Sequence, residues 1–114
     1  MPHFIIEHSK VLESQDDIQK ALNVVLEVGA SSGVMNREDI KVRLHPFEHI
    51  LHGDGTTSFI HVTVRLLYGR TDEQKEALAV SLRDGLDGAF LKVQCISIDV
   101  QDMNPAAYKK RLLN

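Results

Sequence analysis

The chain has a single cysteine, no tryptophan and three prolines, and its aromatic content is only 5%. A lone Cys95 excludes an intrachain disulfide framework and any Cys-x-x-Cys metal or redox pair. Scarce aromatics and a formal net charge of −3 argue against a nucleic-acid partner, which needs stacking surfaces and an excess of cations. No apolar run approaches the roughly 20 residues that a membrane span requires. Met1-Pro2-His3-Phe4 lacks the basic region and apolar stretch of a secretion signal. The expectation is a cytoplasmic protein with neither a membrane nor a nucleic-acid partner. The remaining composition is average, 43% hydrophobic and 25% charged over 114 residues, which suits one globular domain.

Within that domain one pattern is written twice. Asp16, Ala21, Leu22, Val24 and Leu26 recur as Asp72, Ala77, Leu78, Val80 and Leu82 at a constant offset of 56 positions. The first stretch carries Ile18, Ala21, Leu22, Val25 and Leu26 at helical spacing and ends near Gly29. The second carries Leu78, Leu82 and Leu86, with Ala89 and Phe90 extending it. Thr71-Asp72-Glu73-Gln74 reads as a capping box, and Ser14 to Asp17 as a weaker one. Strand-like runs flank each helix. Phe4-Ile5-Ile6 and the strictly alternating 59–67 precede them; 40–44 and 96–100 follow them. His52-Gly53-Asp54-Gly55 marks the turn between the halves. The expected architecture is α/β: two fused β-α-β units, 1–55 and 56–114, forming one four-stranded sheet with both helices on one face. Parallel strands seldom leave a face bare, so a second subunit is expected on the open face. A short last helix is expected from Asn104-Pro105, where Asn caps and Pro takes the first helical position.

The chemistry is concentrated at the N-terminus. A proline at position 2 permits removal of Met1, which would leave a secondary amine whose ring fixes its direction. Arg70 ends the alternating strand just before the capped helix, and Lys41 and Arg43, two apart on a strand, share a face. His45, His49 and His52 would line one face of a helix as zinc ligands, but Pro46 and Gly53 make that helix doubtful. His61 reads as a packing or subunit-contact residue, and Lys109-Lys110-Arg111 as a solvated face.

Met1-Pro2-His3-Phe4-Ile5-Ile6-Glu7 and Gly69-Arg70-Thr71-Asp72-Glu73-Gln74-Lys75 together resemble the tautomerase superfamily. The first segment is most similar to 5-carboxymethyl-2-hydroxymuconate isomerases, the second to 4-oxalocrotonate tautomerases. The resemblance implies a cofactor-free isomerase, with no metal, in which the Pro2 amine is the general base and a small carboxylated dienol or keto acid is the substrate. Burial and nearby guanidinium groups would lower the amine's basicity toward the working range. Arg70 stands at the family's arginine position, and Lys41 stands where arginine is usual, so either Lys41 or Arg43 takes the second carboxylate-binding role. The resemblance further implies a homotrimer, with Arg70 acting on a Pro2 of its own or of an adjacent chain. Two other readings share the fold: a tautomerase of another enolic keto acid such as phenylpyruvate, and a non-catalytic trimeric small-molecule-binding protein.

Overall fold

The computed structural model describes residues 2–10 and 12–113, so the expected removal of Met1 lies outside the described residues. The elements run β1 (His3–His8), α1 (Gln15–Ser31), a 3-10 turn (Arg37–Asp39), β2 (Lys41–Pro46), β3 (Phe59–Leu67), α2 (Asp72–Ala89) and β4 (Cys95–Met103). Both helices start where hydroxyl caps satisfy orphan backbone donors. Ser14 Oγ accepts from the Asp17 N–H at 3.0 Å. At α2 the box is reciprocal, with Thr71 Oγ1 taking the Gln74 N–H at 3.1 Å and Gln74 Oε1 the Thr71 N–H at 2.9 Å.

The four strands form one mixed sheet in the order β2-β1-β3-β4. Each β-α-β unit pairs its strands in parallel, β1 with β2 and β3 with β4, and the units join through an antiparallel β1–β3 pair at the centre. Alternation sorts the faces. Phe4 and Ile6 of β1 and Ile60, Val62, Val64 and Leu66 of β3 are buried against the helices. Ala21 and Val25 of α1 and Leu78, Leu82 and Leu86 of α2 close on them to form a single core. Each such leucine contributes about 2 kcal/mol of apolar burial. The helices approach closely at Gly85, where an added Cβ would lie 3.2 Å from Val28 Cγ2 and 3.3 Å from Val24 Cγ1.

The open face is polar, with His3 and Glu7 from β1, Lys41 and Arg43 from β2, and Thr63 and Arg65 from β3. Its β3–β4 half is bonded across the strands, His61 Nδ1 lying 2.6 Å from Ser97 Oγ.

The helix expected from Asn104 is a single turn instead. The Ala107 and Tyr108 N–H groups both return to the Asn104 carbonyl at 3.0 Å, and Asn104 Oδ1 accepts from Ala106 N–H at 3.0 Å. Ala106, Ala107 and Lys109 to Arg111 are exposed, so the turn has no apolar stripe to bury and nothing to propagate it. No helix spans the three histidines either. His45 lies in β2 with its ring edge-on to Phe47, and His52 lies in the loop before β3, its Nδ1 2.9 Å from Thr56 Oγ1.

Candidate active site

The parallel β1–β2 pair sets the start of β1 beside the start of β2, and the Lys41 N–H donates to the Pro2 carbonyl at 3.0 Å. Pro2 is buried, continuing the alternation that buries Phe4 and Ile6. Its neighbours come from the loop between α1 and β2 and from the corner between β3 and α2. Together Pro2, Val34, Met35, Asn36, Asp39 and Arg70 line a cavity of about 300 Å³.

Arg70 is aimed into this cavity by the corner that precedes it. Gly69 has φ +134°, a conformation that a side chain would strain, and it turns the chain sharply off β3. The guanidinium then grips two backbone carbonyls. Nε and Nη2 donate to Val34 O at 3.1 and 2.7 Å, and Nη1 donates to Leu67 O at 3.0 Å. These bonds use three of the five N–H groups, one on each nitrogen, and leave one on each terminal nitrogen for a ligand.

Asp39 and Asn36 were not singled out from the sequence. Asp39 is half-buried, and among the described residues no side-chain hydrogen bond or ion pair engages its carboxylate. The signal that finds it is topological. A parallel pair brings the residues just before β2 level with those just before β1, so a polar residue there faces Pro2.

Lys41 and Arg43 stand on the other side of the sheet. They pair in register with His3 and Ile5, on the open face, and neither lines the Pro2 cavity of the same chain. Arg43 belongs to a different cavity, of about 420 Å³, shared with His3, Arg65 and Tyr108. His3 is held below its ordinary value of 6.5 by burial first and then by neighbouring positive charge, with Arg43 the largest contributor. Among the described residues no cluster of three or more His, Cys, Asp or Glu is placed to hold a metal, and no helix is long and apolar enough to cross a membrane.

Two β-α-β units joined antiparallel into one four-stranded mixed sheet make the fold of the fused tautomerases. Solved structures share this fold. Native fused 4-OT superposes with a TM-score of 0.82 at 19% identity, over 95% of this chain and 91% of that one. A 5-carboxymethyl-2-hydroxymuconate isomerase from Deinococcus radiodurans R1 superposes with a TM-score of 0.79 at 19% identity, over 96% and 88%. A fused 4-OT wild-type symmetric trimer gives 0.77 at 16% identity, over 90% and 85%. No curated protein sequence matches the chain. The family model of 5-carboxymethyl-2-hydroxymuconate isomerase matches residues 2–111, and the chain belongs to that isomerase family.

Proposed function

We propose that the protein is a cofactor-free tautomerase acting on a small carboxylated enol or dienol, with the Pro2 amine as general base. The observation that carries this reading is the shared cavity of Pro2 and Arg70, brought together from the two halves of the chain. The amine, once free of Met1, takes the proton from the substrate's enol hydroxyl. The electron pair moves into the conjugated system as the ketone forms, and the ammonium returns the proton to a distal carbon. The two N–H groups that Arg70 has left bind a carboxylate or the developing enolate oxygen. Lys41 and Arg43 are the further carboxylate contacts, and from the open face they reach a Pro2 cavity only across a subunit boundary. A cytoplasmic homotrimer, each chain one domain of two pseudo-repeats (1–55 and 56–114), suits that arrangement, and one structural neighbour is a symmetric trimer.

A 5-carboxymethyl-2-hydroxymuconate-type substrate follows from the family. One observation favours the narrower alternative, an enolic keto acid with a single carboxylate such as phenylpyruvate. Without Lys41 and Arg43 supplied across a subunit boundary, the lining of the Pro2 cavity sets one cation, Arg70, against one carboxylate, Asp39, which is poor accommodation for several negative charges. The experiment is the ultraviolet decay of enols bearing one, two and three carboxylates, using protein shown by mass to begin at Pro2, with Met1-retaining protein as control. Decay confined to the processed form is expected. Equal background rates in both forms would overturn the reading in favour of a binding role.

A further inference from the structure

Asn36 lines the Pro2 cavity together with Arg70. It opens the 3-10 turn Arg37–Asp39, a position where asparagine ordinarily caps with its side-chain oxygen. Here the backbone closes the turn alone. The Asp39 N–H donates to the Asn36 carbonyl at 3.0 Å, and the Ile40 N–H to the Arg37 carbonyl at 3.2 Å. Asn23 Oδ1 and Asn104 Oδ1 accept hydrogen bonds at 3.2 and 3.0 Å, whereas among the described residues none engages the Asn36 amide. The backbone that carries this amide is tied on both sides. Arg70 grips the Val34 carbonyl before it, and Arg37 after it forms a bidentate pair with Glu27 of α1, at 3.0 and 2.6 Å. Asn36 is exposed, so its amide is open to a ligand. The other lining side chains leave one role unfilled. Val34 and Met35 have no proton to give, and the Asp39 carboxylate only accepts. Arg70 has one N–H left on each terminal nitrogen, which suits a single carboxylate.

In a 2-hydroxymuconate, as in the enol of phenylpyruvate, the reacting hydroxyl sits on the carbon next to a carboxylate. We propose that Asn36 is a catalytic residue of the reaction proposed above: with Arg70 on that carboxylate, the Asn36 amide donates an N–H to the neighbouring enol oxygen. As Pro2 takes the hydroxyl proton, the O–H bond breaks and its electron pair spreads from oxygen into the conjugated system. The amide stabilises the charge on oxygen until the distal C–H bond forms and the ketone is complete. A neutral donor serves here because it adds no positive charge beside the Pro2 ammonium that the step creates. The inference rests on the tautomerase reading and narrows its substrates to enols with hydroxyl and carboxylate on adjacent carbons.

The test compares wild type, Asn36→Ala and Asn36→Asp, each shown by mass to begin at Pro2. With the enol of phenylpyruvate, Asn36→Ala should lower kcat about a hundredfold, the cost of one lost oxyanion donor, and leave KM nearly unchanged. Asn36→Asp presents an acceptor of the same shape and should be slower still. Urea midpoints should match wild type, because the side chain has no capping bond to lose. Oxalate gives a readout that needs no turnover, since it sets further oxygens beside a carboxylate as the enolate does. Calorimetry should show oxalate binding weakened about fivefold by Asn36→Ala, the value of one hydrogen bond, with acetate binding unaltered. An unchanged kcat in Asn36→Ala overturns the proposal, and so does oxalate binding that is absent or indifferent to the substitution. Oxalate binding that depends on Asn36, without turnover of the enol by wild type, would sustain the contact and count against the tautomerase alone.

Discussion

Arg70 clasps Val34: two guanidinium nitrogens converge on one carbonyl oxygen, at 3.1 and 2.7 Å, and tie the loop after α1 to the corner after β3. Val34 is itself part of the wall around Pro2. The residue to which the family resemblance assigns carboxylate binding therefore also helps to build the cavity that it lines with Pro2.

Arg70→Lys keeps the charge but lacks the planar fork that spans two carbonyls. The variant should lose about 1–3 kcal/mol of stability in urea, since the Val34 and Leu67 carbonyls lose charged partners. Its kcat/KM should fall more than tenfold, with amide exchange accelerated in residues 32–36. Unchanged exchange in that loop would show that the clasp does not hold it.

Asp39 puts a carboxylate in the cavity where the proposed function seats an anionic substrate. Asp39→Asn should lower KM for a three-carboxylate enol by several-fold and leave a one-carboxylate enol nearly unchanged, because the repulsion scales with substrate charge. Steady-state kinetics on the two substrates checks this. An equal change for both would mean that Asp39 acts on the reaction and not on the charge.

Much of the fold was legible because periodicity and capping agree along the chain. Phe59–Leu67 was read at its observed limits, and α2 begins at the box that Thr71 and Gln74 form. The antiparallel β1–β3 join was not read, since no local pattern of Phe4 or Val64 encodes which strands become neighbours. Pro2 and Arg70 were found through motif and are in one cavity; Asp39 escaped because it sits in a single turn without pattern, visible only once β1 and β2 are paired. The sheet also separates Lys41 and Arg43 from Pro2, a matter of face that their common spacing could not reveal. At the tail, a favourable Asn-Pro start did not compensate for the missing apolar face.

At Gly29 α1 packs tightly against β1 and the segment before β2. An added Cβ would meet Phe4 Cζ at 3.0 Å, Ile40 Cδ1 at 3.2 Å and Met35 Sδ at 3.4 Å. Phe4 is wholly buried and cannot yield, so Gly29→Val should cost about 2–3 kcal/mol through overpacking. Gly85→Ala meets only valine methyl groups and gains about 1 kcal/mol of helix propensity, which should leave it near neutral. Paired urea melts decide, and equal stabilities for the two variants would contradict the packing argument.

His3 should report its surroundings through protons. It faces Lys41 and Arg43 on β2, Arg65 on β3 and Tyr108 on the tail, with Glu7 further along its own strand, and its pKa is held below 6.5 by burial and then by the surrounding cations. The folded protein therefore binds fewer protons here than the unfolded chain does just below pH 6.5, so this residue's share of stability is intact above 6.5 and is lost as pH falls through the window beneath it. His3→Gln should flatten the urea-stability profile between about pH 7.5 and about pH 5, the range over which an imidazole of lowered pKa titrates. If the variant keeps the wild-type slope, the titrating group lies elsewhere and His3 serves only as the hydrogen-bond partner of Tyr108.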